Sequence, residues 1–303
     1  MFVEDVLAGT IRSGTSVLFA AQGEVIAERS GVINLGTEGC MLMGAFTAFA
    51  VTANTGSPFV GILAGAGAGA LLALLHAFIV ITRRANQLAS GLAVTFLGLG
   101  ITATLGEDYV DRSANSLDIV RVPLLSDLPF LGPVLFRHDL LTYFGLVLGP
   151  LLWLFLFRTR WGLILRATGE RGAVAFAYGH SPHLVRYLAV IAGGALAGVG
   201  GAQLVLAYTL GWSENVTVGR GFVAVALVIF AAWDPLRASL GAFVFGGAVS
   251  LQLQLQARGV DISPFLLDMT PYLLTIAVLV VASRGRVQRA PGEIRAVFGT
   301  AGA

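Results

Sequence analysis

The chain has 303 residues, of which 56% are hydrophobic and 12% charged, with a mean hydropathy of +0.83. A soluble domain carries about 25% charge, so the composition excludes one and indicates an integral membrane protein. The net charge is +2 and every one of the 19 basic residues is arginine, so a Walker A loop, a Schiff-base lysine and a lysine general base are all excluded.

In so apolar a chain the loop arginines and the pI near 9.0 report membrane orientation rather than nucleic-acid binding. Cys40 is the lone cysteine, which rules out internal disulfides and thiolate metal clusters. Glu4 and Asp5 stand where a secretory leader would be basic, so no cleavage is expected.

Spans follow from charge-free runs, since crossing a hydrocarbon core of about 30 Å takes roughly 20 apolar residues in a helix. A weak first span is expected near residues 6–23. Runs free of Asp, Glu, Lys and Arg then cover 40–82, 85–106, 140–157, 187–213, 221–233, 238–257 and 269–283. The first of these holds two helices, because Thr55, Gly56, Ser57 and Pro58 form a turn signal near its middle. Period-2 alternation is absent, so helices are expected rather than a closed barrel. The predicted fold is all-α: one polytopic domain over 1–303 with about 8–9 membrane segments, one early segment being broken or re-entrant. Small residues in "GILAGAGAGALLALLHAF" (61–78) predict close helix packing.

The stretch "SGVINLGTEGCMLMGAF" (30–46) sets a polar turn at the mouth of an apolar helix. Asn34 or Thr37 can cap that helix, and Glu38 sits favourably at its positive dipole end. The functional alternative is that the break exposes polar groups to a solute path, since irregular backbone at depth is tolerated only when buried in protein or lining a cavity. Glu38 is the one titratable candidate read within the hydrophobic stretches.

Orientation comes from charge. Arg83 and Arg84 read as internal. The segment 107–139, with Glu107, Asp108, Asp111, Asp118, Asp127 and Asp139 against Arg112, Arg121 and Arg137, reads as external. The segment 158–186, with five arginines and one glutamate, reads as internal. Glu214 and Arg220 read as external, Asp234 and Arg237 as internal, Asp261 and Asp268 as external. The tail 284–303, with Arg284, Arg286, Arg289 and Arg295, reads as cytoplasmic. Upstream of Arg83 parity is awkward: either the chain starts outside, or an early helix enters and leaves on one side, and the glycine-rich "GVINLGTEG" favours the latter.

Within 158–186, "LILRATGERGAVAFAYG" predicts a short amphipathic helix on the cytoplasmic surface, with Leu163, Ala167, Ala173 and Phe176 alternating with Arg166, Glu170 and Arg171. It is either a lipid-facing helix or a docking element for a cytoplasmic partner. The stretch 218–247 repeats the logic of 31–78: Gly219 and Gly221 precede a short apolar helix, then Trp233, Asp234 and Pro235 turn the chain. Residues 31–78 and 217–256 could be inverted repeats. Gln203, Gln252, Gln254 and Gln256 lie in or near apolar runs, where polar side chains seek helix partners or a wet cavity; the last three cannot share one helix face. His76 reads as a hydrogen-bonded core residue, His180 and His183 as loop residues. No metal-ligand spacing and no catalytic constellation is present, so no catalytic or metal site is assigned.

"ERSGVINLGTEGCMLMGAF" (28–46), "SGLAVTFLGLGIT" (90–102), "LRATGERGAVAFAYG" (165–179) and "GRGFVAVALVIFAAWDP" (219–235) together resemble, in order, the permease subunits of bacterial ABC importers of the branched-chain amino acid and simple-sugar permease superfamily, most closely the nucleoside-type branch. The resemblance implies an ATP-driven importer of nucleosides, with simple sugars as the alternative, in the bacterial inner membrane. It implies a second permease subunit, different and longer, a cytoplasmic ABC ATPase carrying the ATP and Mg, and an external solute-binding lipoprotein; this chain needs no cofactor of its own. It places Arg166, Gly169, Glu170, Arg171 and Gly179 in the coupling loop to the ATPase, and Asn34, Gly36, Glu38 and Gly39 in a broken helix near the translocation path, to which Gln203, Gly221 and Phe222 are added. One departure is "IFAAWDP", where Ala232 stands in place of an expected glycine. The rival readings are an ion-coupled secondary transporter, which would need titratable groups at depth, and an intramembrane enzyme.

Overall fold

The computed structural model describes residues 2–259 and 290–299, with positions 263, 266, 269–274, 276 and 277 between them; of 296–299 only the backbone is described. Asp261, Asp268, Arg284, Arg286 and Arg289 lie outside the described residues.

The few polar residues mark where helices begin. Asn86 accepts from the Ala89 amide at 3.0 Å to start α4 (Gln87–Gly106), and Asp139 accepts from Thr142 at 2.9 Å to start α6 (Leu140–Arg158). Pro58 opens α3 (Pro58–Ala77, with a π-helical extension to Thr82), Pro182 opens α9 (Pro182–Gln203, π-extended to Tyr208), and Asp234–Pro235 opens α11 (Pro235–Ala257). These five helices are long and apolar enough to cross a membrane. The remaining helices are α1 (Phe2–Arg29), α2 (Thr37–Thr55), α5 (Leu131–Leu135), α7 (Arg160–Glu170), α8 (Gly172–Ala177), α10 (Arg220–Phe230) and α12 (Gly292–Gly299). The expected all-α class holds; among the described residues the exceptions are β1 (Ile119–Arg121) and β2 (Arg137–Asp139), an antiparallel pair in the acidic loop.

Helix α1, the weakest span by sequence, is the axis of the fold. From Ser13 to Glu28 every residue is buried, and α9, α10 and α11 pack around it. Its polar side chains face protein, whereas the outer helices α3, α4 and α6 turn Leu63, Leu71, Phe96 and Leu154 outward. The low hydropathy of α1 therefore reflects its place at the centre, among protein partners. The small-residue run of α3 meets α9 backbone to backbone: a methyl on Gly69 would lie 3.0 Å from Gly198 Cα.

Two faces organise the helix ends. The acidic loop caps one: Asn115 bonds Gly56 at the end of α2, Leu117 bonds Leu206 at the end of α9, and Ser250 of α11 bonds Val6 near the start of α1. The arginine-rich α7 and α8 lie on the other, beside the ends of α1 and α3 and the start of α9. Helices α1, α2 and α3 each run from one face to the other, so the chain starts on the acidic-loop face. This overturns the expected early re-entrant helix. Residues 30–36 are a buried hairpin connection between two long helices, and the discontinuous segment lies later, where irregular chain from 209 to 219 descends from the acidic-loop face and α10 completes the passage. The difference arises because α1 tolerates polar residues without interruption, being enclosed by protein.

Candidate functional site: the carboxylate junction and the arginine-face segment

Helix α10 has eleven residues, about 16 Å at 1.5 Å per residue, and its first turn packs against the start of α2, with Thr217 and Gly221 buried. Glu38 meets them. Its carboxylate accepts from Thr217 Oγ1 at 2.6 Å, from Gly219 N at 2.9 Å and from Gly221 N at 2.6 Å. The acid stands in the first turn of α2, as read, and its hydrogen bonds go to a neighbouring helix, so one carboxylate serves two N-termini. Gly221 is needed for the approach, because a Cβ there would lie 2.5 Å from Glu38 Cα.

The start of α2 is held by an acid that sequence reasoning missed. Glu24, on α1, accepts from the Asn34 amide and from Thr37 Oγ1, each at 2.8 Å. Asn34 Oδ1 in turn accepts from Gly36 N at 2.9 Å. One turn along α1, Glu28 accepts from the indole N–H of Trp233, just beyond the end of α10. Both acids are at most 2% exposed. Glu38 is therefore joined at this junction by two further buried carboxylates, and together they fix the N-terminus of α2 and both ends of α10. The signal was available: two acids at i and i+4 directly before "RSGVIN", one face of one helix.

Of the expected pathway residues, Asn34, Gly36, Glu38, Gly39 and Gly221 come together at this junction, with Gly39 packed on the α4 backbone, where a methyl would lie 2.8 Å from Thr95 Cα. Gln203 stands apart, donating to the Arg12 carbonyl at 3.2 Å. Phe222 is 38% exposed. Arg220, read from charge as external, is tied to α1: Nη1 donates to Ser13 O at 3.2 Å and Ser16 Oγ at 3.1 Å, and its guanidinium lies over Tyr208. Beyond it, Asp5, Arg12, Tyr208, Ser250 and Gln254 line a cleft of about 350 Å³ among the first turns of α1 and the last turns of α9 and α11. His76 is a core residue as expected, its ring nitrogens 3.1 Å from Ser90 Oγ and from Ile33 O.

At "AAWDP" the structure accounts for the missing glycine. Ala232 and Trp233 both adopt left-handed backbone, φ 53° and 57°, a conformation that glycine enters freely and alanine does not.

On the arginine face the expected single amphipathic helix is two, α7 and α8, divided at Arg171. The buried side is Gly162, Leu165, Thr168 and Gly169, whereas Leu163 and Phe176 are exposed, correcting the assumed apolar stripe. Gly169 lies directly on the Arg29 carbonyl at the end of α1, leaving no room for a side chain. Arg166 stacks on Phe157, 4.9 Å from the ring centroid. Glu170 faces Arg295, and Gly179 adopts φ 82° in the turn after α8.

Comparison with known proteins sets this architecture in a family. The profile described as "Branched-chain amino acid transport system / permease component" matches residues 6–282. The chain is 39% identical to TsgC13 of Haloferax volcanii, a protein provisionally assigned as a glucose ABC transporter permease, over 92% of this chain and 91% of that one. It is 33% identical to the guanosine ABC transporter permease NupQ of Bacillus subtilis and 33% identical to the nucleoside ABC transporter permease NupC of Lactococcus lactis, over 90% of each chain in both cases. No solved structure matches significantly. The ion-coupled and enzymatic readings give way to this match, and the chain belongs to the branched-chain amino acid transport permease family, the membrane-embedded subunits of ABC transporters whose ATP is hydrolysed by a partner ATPase.

Proposed function

We propose that this chain forms one half of an ATP-driven import pathway for nucleosides, paired with a second, longer permease subunit, fed by an external solute-binding lipoprotein and powered by an ABC ATPase on its arginine face. Helices α1 and α2 and the segment 209–230 then cross the membrane together with the five long helices, and the C-terminal helix is cytoplasmic. Asn34, Gly36, Glu38, Gly39 and Gly221 form the junction on which the gate turns, with Gln203 and Phe222 bordering the path. Arg166, Gly169, Glu170, Arg171 and Gly179 build the surface that receives the ATPase.

The observation that carries the reading is the α10 junction: a half-helix whose buried N-terminus is held by a carboxylate from a different helix. Half-helices of this kind are where transport proteins build solute sites, because irregular backbone at depth lines a cavity or is buried in protein. Glu38 already accepts from three donors, which suits a hinge better than an ion-binding carboxylate. The cleft beside Tyr208 offers a ring together with the hydrogen-bonding side chains of Ser250, Gln254, Asp5 and Arg12, groups that suit a solute with a base or hydroxyls. ATPase docking is supported by the exposure of Trp161, Phe176 and Tyr178, at 68%, 73% and 80%, on the arginine face. Gate motion must then come from contacts that differ between the two states of the complex.

The similarity to TsgC13 supports simple sugars as the second reading. The complete complex, reconstituted in vesicles, should accumulate labelled guanosine or another nucleoside only with internal ATP. Accumulation of glucose in preference to nucleosides would install the sugar reading, and ATP-independent uptake abolished by an uncoupler would end both.

A further inference from the structure

The C-terminal helix α12 belongs to no pathway element described above, yet it is bound to four parts of the arginine face. Ala290 and Ile294 are buried, at 2% and 0%. Glu293 Oε1 accepts from the Gly172 amide at 3.1 Å, the first residue of α8, and pairs with Arg186 Nη2 of α9, also at 3.1 Å. Arg186 in turn donates from Nε to the Ser30 carbonyl at 3.3 Å, immediately after α1. The Glu293 side chain lies against Gly31, where a methyl would lie 2.9 Å from its Cβ. Glu170, the last residue of α7, accepts from Gly292 N at 3.2 Å and pairs with Arg295 at 3.6 Å. One short helix therefore contacts the end of α7, the start of α8, the first turns of α9 and the connection after α1.

From these contacts we propose that α12 is a positioning strap for coupling, with Glu293 its central residue: it makes α7, α8 and the end of α1 move as one body, so that displacement of the ATPase-facing surface reaches the buried carboxylates of α1. This rests on the reading that α7 and α8 receive the ATPase. The path is physically contiguous. Gly169 bears on the Arg29 carbonyl, Arg29 Nε donates to Trp233 O at 2.9 Å, and Glu28 holds the Trp233 indole. The Glu170–Arg295 pair is about half exposed on both sides, and exposed pairs add little to stability, so its value is in alignment.

The test uses the complete complex in vesicles, reading uptake and ATP hydrolysis separately, with ATPase co-purification as the check on assembly. Glu293→Ala should lower solute moved per ATP by at least about fivefold, the low end of typical coupling between sites, with the ATPase still bound. The charge-exchanged pair Glu293→Arg with Arg186→Glu should recover most of it. If Glu293→Ala fails to accumulate, the surface pair decides: Arg295→Glu should lower the same ratio, and adding Glu170→Arg should restore it, a rescue that a merely structural or ATPase-contacting Glu170 would not give. An unchanged ratio in Arg295→Glu, or no rescue, overturns the strap. Phe176→Asp, on the exposed side of α8, separates the two readings. If it leaves the ATPase bound, the docking surface and the strap both fall; if it releases the ATPase while the Arg295 variants couple normally, the strap alone falls.

Discussion

The Gly221 amide donates to Glu38 Oε2 at 2.6 Å, and the Gly221 Cα carries no side chain because Glu38 Cα occupies that space. The half-helix and the long helix are thus joined through a charge-assisted hydrogen bond and a backbone contact at the same residue. Such bonds are stronger than neutral ones, and the close approach makes them position-specific.

Gly221→Ala tests the contact without touching the charge. Overpacking of this kind costs about 1–3 kcal/mol, and here the obstruction is main chain, which does not rotate away. The variant should melt lower in detergent and lose most uptake. Wild-type uptake at wild-type melting temperature would mean that α10 is free to shift, removing the junction from the mechanism.

Glu38→Gln and Glu38→Leu separate polarity from charge. The amide keeps an oxygen for one or two of the three donors, whereas leucine strands all three, at about 1–3 kcal/mol for each buried unpaired group. Glu38→Gln should assemble with reduced uptake and Glu38→Leu should fail to accumulate. Equal behaviour of the two, measured by membrane yield and transport, contradicts the capping role.

Glu28 and Trp233 form a pair open to a double-mutant cycle. Glu28→Leu leaves the buried indole N–H without an acceptor, with a loss of about 1–3 kcal/mol. Trp233→Phe in the same chain removes that donor and should recover part of the loss. Strictly additive effects on thermal stability would show that the two side chains do not interact.

Ala232 offers a gain instead. Left-handed backbone costs a residue with a Cβ about 1–2 kcal/mol, and glycine's greater unfolded-state entropy takes back about 0.5–1 kcal/mol. Ala232→Gly, at φ 53°, should therefore raise the melting temperature slightly and leave uptake intact. A lower melting temperature would mean that the lost methyl contact, at a site only 5% exposed, outweighs the backbone strain.

How legible the molecule was depended on which solvent each residue meets. The long helices α3, α4, α6, α9 and α11 were readable from hydropathy, because a long charge-free apolar run is what crossing a hydrocarbon core requires. Helix α1 was nearly invisible on the same measure, since Gln22, Glu24 and Glu28 face other helices, where hydrogen-bond partners replace water. His76 was read correctly as a packed residue; the expected re-entrant helix around Asn34 was not, because the same glycines and caps serve a buried hairpin equally well.

By itself, the sequence determined the membrane class, the absence of lysine chemistry, the separation of an acidic loop from an arginine-rich segment, and the residues on which a permease resemblance rests. All of these are local properties, written in composition and in spacing along the chain. The tertiary structure alone decided that Glu38 also caps α10, that Glu24 and Glu28 complete a carboxylate set, and that Glu293 meets Gly172 and Arg186. Those pairings join positions 181 and 183 residues apart around Glu38, and 121 residues apart between Glu293 and Gly172. A carboxylate takes whichever donors folding brings to it, and only the packing of α1, α2 and α10 fixes which those are.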